Sequence, residues 1–351
     1  MPPFDMSSLR QYVEELCSGL SGKAGTTGYY AALQRCFVTF GILSPVCFFF
    51  DAPFGRFTSK SNWLSVNGSV GWFVMEIVSP LAFLASLPLG QSPNFPSISS
   101  YLSTIVSTFQ SLPLARQILV TLFVIHYLNR STISTLLNPS RARMNISVPI
   151  SAIFFNIMNG STMGTYTGGG YPILSKNLNS LQVGLREGMG PRILFSIGIS
   201  LWLIGFISNI YHDQVLYDLK RDKLVRLESK KGSSLEPTER YSIPPRSKGL
   251  YRYVSHPSYS SEWLEWFGYL LCTLSLSTPP FPPPCRSGGS ESSPLVPFVE
   301  WYLEPPALFL WQEIGVMLPR ARSGHRWYEK TFGEKEWKAK GQKWVVIPGV
   351  Y

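Results

Sequence analysis

The stretch Gly249–Tyr269, GLYRYVSHPSYSSEWLEWFGY, carries two acids three residues apart, Glu262 and Glu265. On a helix that spacing puts both on one face. The surrounding residues are Trp263, Leu264, Trp266, Phe267 and Tyr269. A bare ion in hydrocarbon is costly, so carboxylates in such company face a partner or a polar cavity. Other polar groups interrupt apolar runs elsewhere. Glu76 lies inside GWFVMEIVSP, His126 and Tyr127 close LFVIHYLNR, and Asn209 and Asp213 close SNIYHD. If these runs cross a bilayer, the polar groups need one another. A carboxyl at Glu76, desolvated in such a site, is expected to stay protonated and donate a hydrogen bond. Tyr127 offers a second donor, and two donors on one carbonyl would make an enone electrophilic. The alternatives are that Glu262 and Glu265 solvate a helix end at headgroup level, and that Glu76 snorkels to a cytosolic edge.

Other chemistries find less support. The cysteines are Cys17, Cys36, Cys47, Cys272 and Cys285, odd in number and without a CxxC pair. Neither they nor the four histidines have metal-ligand spacing. No G-x-G-x-x-G follows a strand, which excludes a Rossmann nucleotide site, and Gly168–Gly170 reads as a turn. Basic loops could hold a phosphorylated cofactor or lie against anionic lipid headgroups.

The elements that must position these groups are membrane helices. Charged residues are only 15% of the 351, against roughly 25% in soluble chains. Runs near the length of a span recur: Tyr29–Phe50, Val70–Leu89, Leu114–Leu136, Ile146–Tyr166, Ile193–Tyr211, Ser261–Leu276 and Leu295–Pro319. The fourth is rich in Gly, Ser, Thr and Asn, as suits close packing inside a bundle. The seventh contains Pro305–Pro306 and is expected to be broken or short. Glu313 falls in it without an assigned role. The fold class predicted is all-α: a polytopic bundle of seven transmembrane helices with ordered cytosolic loops.

Lys and Arg set the orientation. No charge of either sign lies between Ile77 and Ala115, so that loop is expected in the lumen. Basic clusters follow the third span (Arg130, Arg141, Arg143), the fifth (Lys220 to Arg252) and the seventh (Arg320 to Lys343). A luminal N-terminus places all three in the cytosol. Residues 1–28 read as a surface segment, with a short amphipathic helix at Ser8–Leu20 and no cleavable signal. Residues 29–351 form the bundle. Two polar insertions stand out: Ser229–Glu239, and the Pro/Gly/Ser-rich luminal loop 278–294. N-x-S/T matches begin at Asn67, Asn129, Asn145 and Asn159; this topology leaves them in the cytosol or membrane, without glycans.

Four segments in order, HYLNRSTISTLLNPSRARMN, NIYHDQVLYDLK, GLYRYVSHPSYSSEWLEWFGY and HRWYEKTF, resemble the steroid 5α-reductase (3-oxo-5α-steroid 4-dehydrogenase) family over residues 65–351. The HPSY piece alone is also similar to sterol reductases and to isoprenylcysteine carboxyl methyltransferases. The resemblance implies a seven-helix protein of the endoplasmic reticulum membrane that binds NADPH from the cytosol and takes a lipid-like enone from the bilayer. It implies that Glu76 and Tyr127 hold the ketone oxygen while hydride reaches the β-carbon. It further implies cofactor contacts at Asn138, Arg141, Asp213, Lys220, Ser258, Glu262, Arg320 and Tyr328. Departures from the family pattern are Met75 for a Gln, Ser258 for an Asn and Ser242 for an Arg.

The function expected is NADPH-dependent reduction of the conjugated C=C bond of a steroid-like or isoprenoid ketone. The partners expected are that small molecule and membrane lipids, without nucleic acid, and the chain is expected to act as a monomer. Alternatives are a trans-2-enoyl-CoA or polyprenol reductase, a carboxyl methyltransferase and a non-catalytic sterol-binding membrane protein. Glu76 with Tyr127 favours a reductase, because methyl transfer needs no carbonyl polariser.

Overall fold

The computed structural model describes residues 13–49 (without 15 and 24), 64–169 (without 93), 185, 188–228, 241–276 and 304–350. Its helices are α1 (Gly25–Leu43), α2 (Gly68–Ser86), α3 (Tyr101–Ser111), α4 (Leu114–Leu128), α5 (Ser147–Thr167), α6 (Met189–Glu228), α7 (Pro257–Leu274), α8 (Pro305–Phe332) and α9 (Glu334–Lys340). Two short antiparallel strands, β1 (Ser65–Val66) and β2 (Met144–Asn145), tie the approach to α2 to the approach to α5. The chain is thus mainly helical, as its composition predicts.

Two seams of small residues set the geometry. On α5, Gly160, Gly164 and Gly168 recur every four residues and lie on one face. Each lies against a backbone carbonyl of α2, those of Ser79, Phe83 and Leu87 in turn, so closely that a Cβ would clash. This is the small-xxx-small contact that lets membrane helices approach. The second seam joins α6 to α7, the most extensive helix pair together with α2 and α5. There Gly205 abuts the backbone of Ser261 and Glu265, and Gly268 abuts that of Gly198 and Trp202. The core between the seams holds Phe83, Phe123, Trp202, Trp266, Tyr269 and Phe309. Phe83 stacks on Phe123 at 4.0 Å, and Trp266 meets Phe309 edge-on at 4.6 Å.

Three helices are long and apolar enough to cross a bilayer among the described residues: Gly28–Phe48, Gly68–Gly90 and Met189–Arg226. They have the composition of a membrane protein. The other expected spans coincide with α4, α5, α7 and α8 but fall short in length or hydropathy. The reason is visible in α5 and α7. Asn156, Asn159, Ser161, Thr162, Glu262 and Glu265 are all buried. Their polarity is turned inward, where a composition count reads it as solvent-facing.

Several boundaries differ from expectation. The fifth run does not close at Asp213; α6 continues to Glu228. No Gly or Pro follows Gly205 within it, and LKRDKLVRLE is rich in helix formers. Pro305–Pro306 opens α8, where a missing N–H costs nothing, so the described part of the seventh run starts at these prolines; residues 295–303 lie outside the described residues. Pro319 lies inside that helix. The charge-free loop contains α3. Asn67 caps α2, its Oδ1 accepting the N–H groups of Ser69 and Val70 at 2.9 and 3.1 Å. Gly168 and Gly169 form a turn, with Gly169 at φ 107. Of the N-terminal helix, residues 13, 14 and 16–20 are helical; residues 1–12, Ser229–Glu239 and 278–294 lie outside the described residues.

Gly164→Val is expected to force α2 and α5 apart and destabilise the bundle by about 1–3 kcal/mol, the ordinary cost of overpacking. Thermal unfolding in detergent checks this. An unchanged midpoint would mean that the seam does not hold the helices together.

Candidate active site

The centre of the bundle is a guanidinium. α4 ends in a π-helical turn, Asn129–Ile133. Such turns redirect the side chains they carry and recur at functional sites. The Arg130 carbonyl accepts Trp72 Nε1–H at 3.1 Å and Ser134 Oγ–H at 2.6 Å, which fixes the turn. Arg130 Nε then stands 3.1 Å from Glu76 Oε1 on α2. Its Nη1 reaches both oxygens of Glu262 on α7, at 2.7 and 2.9 Å. Asn209 Nδ2 on α6 donates to Glu262 Oε2 at 3.4 Å. Behind this row, His126 Nδ1 lies 2.7 Å from Glu265 Oε1, and His126 Nε2 lies 3.7 Å from Glu262 Oε1. Glu262 and Glu265 therefore do share a face, and each has its own partner. Glu313 on α8, which had no assigned role, sits within electrostatic range of Arg130, Glu262, Glu265 and Glu76.

Glu76, expected to stand as a desolvated donor, has a partner that the expectation left out: Arg130 Nε, 3.1 Å from its Oε1. In the sequence Arg130 read only as a topology charge. The signal that identifies it is its place four residues after His126 and three after Tyr127, on one helical face.

Arg130 opens onto a cavity of about 390 Å3. Eight of the ten predicted residues line it: Glu76, Asn138, Arg141, Asp213, Lys220, Ser258, Glu262 and Arg320. Helical period explains the convergence. Asn209, Asp213, Leu216 and Lys220 form one stripe of α6; Ser258, Glu262 and Glu265 form one of α7. Lys220 Nζ donates to Asn138 Oδ1 at 3.0 Å, and Ser258 Oγ donates to Asp213 Oδ1 at 2.7 Å. Arg141 stacks on Trp72, its guanidinium carbon 4.3 Å from the ring centroid. Phe206, Val316 and Met317 give the same cavity an apolar portion.

Tyr328 lies in a smaller adjoining cavity of about 170 Å3 that shares Asp213, Ser258 and Arg320. Beside it Ser255 Oγ bridges His256 Nδ1 at 2.8 Å and His325 Nδ1 at 2.9 Å. Burial pushes His325 below the ordinary imidazole range, so it stays neutral near pH 7. Tyr127 is the residue that the structure sets apart. It is fully enclosed behind the cavity wall, packed on Phe123 at 4.8 Å, and its hydroxyl accepts Asn159 Nδ2–H at 2.8 Å. Asn159, read from the sequence as a sequon, is inaccessible and serves this bond instead.

Burial also lowers the Arg141 guanidinium from its usual range, with Tyr217 and Asp213 acting the other way. Its Nε is buried without a hydrogen-bond partner among the described residues. A desolvated guanidinium with an unused donor suits an anionic group such as a phosphate. The arrangement can therefore hold an anion among Arg141, Lys220 and Arg320 and stabilise developing negative charge at Arg130.

Residues 142–282 match the family model described as 3-oxo-5-alpha-steroid 4-dehydrogenase. A Schizosaccharomyces pombe protein, uncharacterized protein C9.08c, is 32% identical over 86% of this chain and 93% of its own length. Steroid 5-alpha-reductase DET2 of Solanum lycopersicum is 25% identical over 82% of this chain and 85% of its own. The 3-oxo-5-alpha-steroid 4-dehydrogenase 1 of Rattus norvegicus is 24% identical, covering 80% and 81%.

Arg130→Met leaves Glu76 and Glu262 buried without their cation. It is expected to destabilise the protein by about 3–5 kcal/mol, as when one partner of a buried ion pair is removed. Adding Glu76→Gln to the same chain should recover part of the loss. Unfolding midpoints in detergent decide it, and a midpoint unmoved by Arg130→Met would show that the carboxyls are held some other way.

Proposed function

The chain belongs to the steroid 5-alpha-reductase (3-oxo-5-alpha-steroid 4-dehydrogenase) family, and from that premise we propose that it reduces the conjugated C=C bond of a steroid-like or isoprenoid enone with NADPH. The observation that carries this reading is the Arg130 cluster, which opens onto one cavity that also holds Arg141, Lys220 and Arg320. Membership of an oxidoreductase family fixes the broad chemistry; the cavity supports the cofactor and the roles below.

NADPH would be held by Arg141, Lys220 and Arg320 at its phosphates, where planar or point cations suit those anions. The unused donor of Arg141 supports this fit. Asn138, Asp213, Ser258 and Tyr328 would complete the binding surface. Glu262, an acceptor already steadied by Arg130, suits the N–H groups of the carboxamide. When bound, the reduced nicotinamide supplies a hydride for the β-carbon.

The chain's own residues do the rest. Tyr127 accepts a hydrogen bond from Asn159; it stands behind the cavity wall, so it would donate to a ketone oxygen once a bound substrate opens the wall beside it. Glu76 aligns Arg130, and that guanidinium steadies the negative charge that grows on the oxygen. The apolar portion at Phe206, Val316 and Met317 suits a greasy substrate and keeps water out. Ketone binding by Glu76 and Tyr127 thus becomes a shared task with Arg130. Met75, beside Glu76, presents a thioether where the family often has an amide, which leaves the carbonyl fewer competing partners.

Membranes carrying the protein, supplied with NADPH and a panel of enones, test the reading by product mass. A gain of two hydrogens is expected, and Glu76→Gln should lower turnover about 100- to 1000-fold, the scale for losing one such electrostatic group, while NADPH still binds. A methyl gain, or no product from any enone, would remove the reductase.

We also propose seven spans in the endoplasmic reticulum membrane, with a luminal N-terminus, a cytosolic C-terminus and a monomeric chain. The three basic segments support the orientation. Protease added to sealed microsomes should cut between Lys220 and Arg252 and spare Gln91–Pro113. Cleavage of the second segment would invert the topology, and a dimer mass by light scattering in detergent would remove the monomer.

A further inference from the structure

The His126–Glu265 pair is not used by the roles above, and its chemistry is unusual. Glu265 has no accessible surface, and His126 has almost none. Glu265 Oε1 meets His126 Nδ1 at 2.7 Å, but Oε2 has no hydrogen-bond partner among the described residues. A carboxylate has about four acceptor sites to satisfy. Leaving two of its oxygens' worth of charge on one contact in a dry interior is far costlier than burying the neutral acid.

Charge counting points the same way. The groups facing the pair are Glu76 from α2, Tyr127 from α4, Arg130 from the π-turn, Asn209 from α6, Glu262 from α7 and Glu313 from α8. The permanent cation among them is Arg130, and it is already engaged by Glu76 and Glu262. Among the described residues facing the pair, no second cation balances Glu265.

We propose that Glu265 is a proton store for the reaction and that His126 is its conduit to Glu262. The idea rests on the reductase reading for its purpose. Reduction of an enone takes a hydride at the β-carbon and a proton at the α-carbon, and the protein must deliver the proton. At rest Glu265 carries it on the oxygen facing Nδ1 of His126, which is neutral with its hydrogen on Nε2. The Glu265 proton passes to Nδ1 while the Nε2 proton passes to a Glu262 oxygen. His126 ends neutral, with its hydrogen on the other nitrogen. Glu265 is left as the carboxylate, and Glu262, now neutral, gives its proton to the α-carbon and returns to its ionised form.

The geometry suits each part. Glu262, His126 and Glu265 all border the cavity, and the imidazole stands between the two carboxyls, 2.7 Å from Glu265 and 3.7 Å from Glu262. The Nε2–Oε1 gap of 3.7 Å is longer than a hydrogen bond; such gaps tighten when a site fills. Arg130 Nη1 meets both oxygens of Glu262 and Glu265 pairs with His126 instead, which keeps the proton on Glu265 until an enolate draws it. After product leaves, water in the cavity recharges the store along the same path in reverse.

Infrared spectra of the resting protein in detergent test the store without any turnover. The stretch of a protonated carboxyl, shifted by D2O, should be present in wild type and lose one carboxyl's intensity in Glu265→Gln, whose amide keeps the hydrogen bond. In turnover, Glu265→Gln should lower kcat by about 100-fold with little change in the NADPH KM, as for loss of one general acid. The solvent isotope effect should rise with it. Should that variant fail to fold, His126→Gln blocks the conduit and leaves the carboxyl band in place while kcat falls. A Glu265→Gln spectrum identical to wild type overturns the store, as does wild-type kcat in a folded His126→Gln protein. If wild type reduces no enone, the functional reading is what fails, and the carboxyl band still decides whether Glu265 holds a proton.

Discussion

One guanidinium in a low-dielectric interior governs the architecture. Two unit charges 4 Å apart attract by about 4 kcal/mol at an effective dielectric of 20, while desolvating each ion costs several kcal/mol. A lone buried pair therefore barely breaks even. Arg130 improves the balance by serving two carboxylates, with contacts between 2.7 and 3.1 Å. Such sharing works only if three elements keep their places. The π-turn aims Arg130, the α5 glycines hold α2 and hence Glu76, and the α6–α7 seam holds Glu262. The close backbone contacts, which involve no charge at all, are what make the charged contacts possible.

The same dependence explains which parts of the site were legible in the sequence. Asn138, Arg141, Asp213, Lys220, Ser258, Glu262 and Arg320 sit on or beside apolar runs with family-like spacing, and helical period brings them to one cavity. Arg130 escaped because a lone arginine after an apolar run carries two meanings, topology and chemistry, and only its spacing from His126 and Tyr127 points to the second. Asn159 escaped because its local string reads as a glycosylation site. Tyr127 was found as a donor, yet its depth behind the wall depends on the Phe123 and Trp266 rings, which pack by tertiary shape. Glu313 could be seen but not interpreted, since its partners lie on α2, α4 and α7.

Helix extents show a parallel limit. Local signals gave the α2 and α6 cores because those stretches are apolar over nearly their whole length. They failed for the extension of α6 to Glu228, where the sequence turns polar but keeps its helix formers. At the seventh run the paired prolines, read as a place where helix is interrupted, mark the start of α8. In each case the local pattern was right about residue type and silent about the neighbour that gives it a role.

The departures from the family pattern are absorbed by neighbours in the same way. The Met75 carbonyl accepts Asn156 Nδ2–H at 2.7 Å. That contact uses backbone, so it tolerates a thioether in place of an amide, and what changes is the shape and polarity of the cavity beside Glu76. Ser258 is shorter than an asparagine, but its hydroxyl still reaches Asp213, while Asn209 from α6 supplies an amide to the Ser258 carbonyl and to Glu262. Ser242 is different. The nearby Arg246 is committed to the Gly341 and Lys338 carbonyls, where it ties the C-terminal segment to the loop before α7. Arg246 lies outside the cavity lining, and the cavity's cations beside Arg130 are Arg141, Lys220 and Arg320.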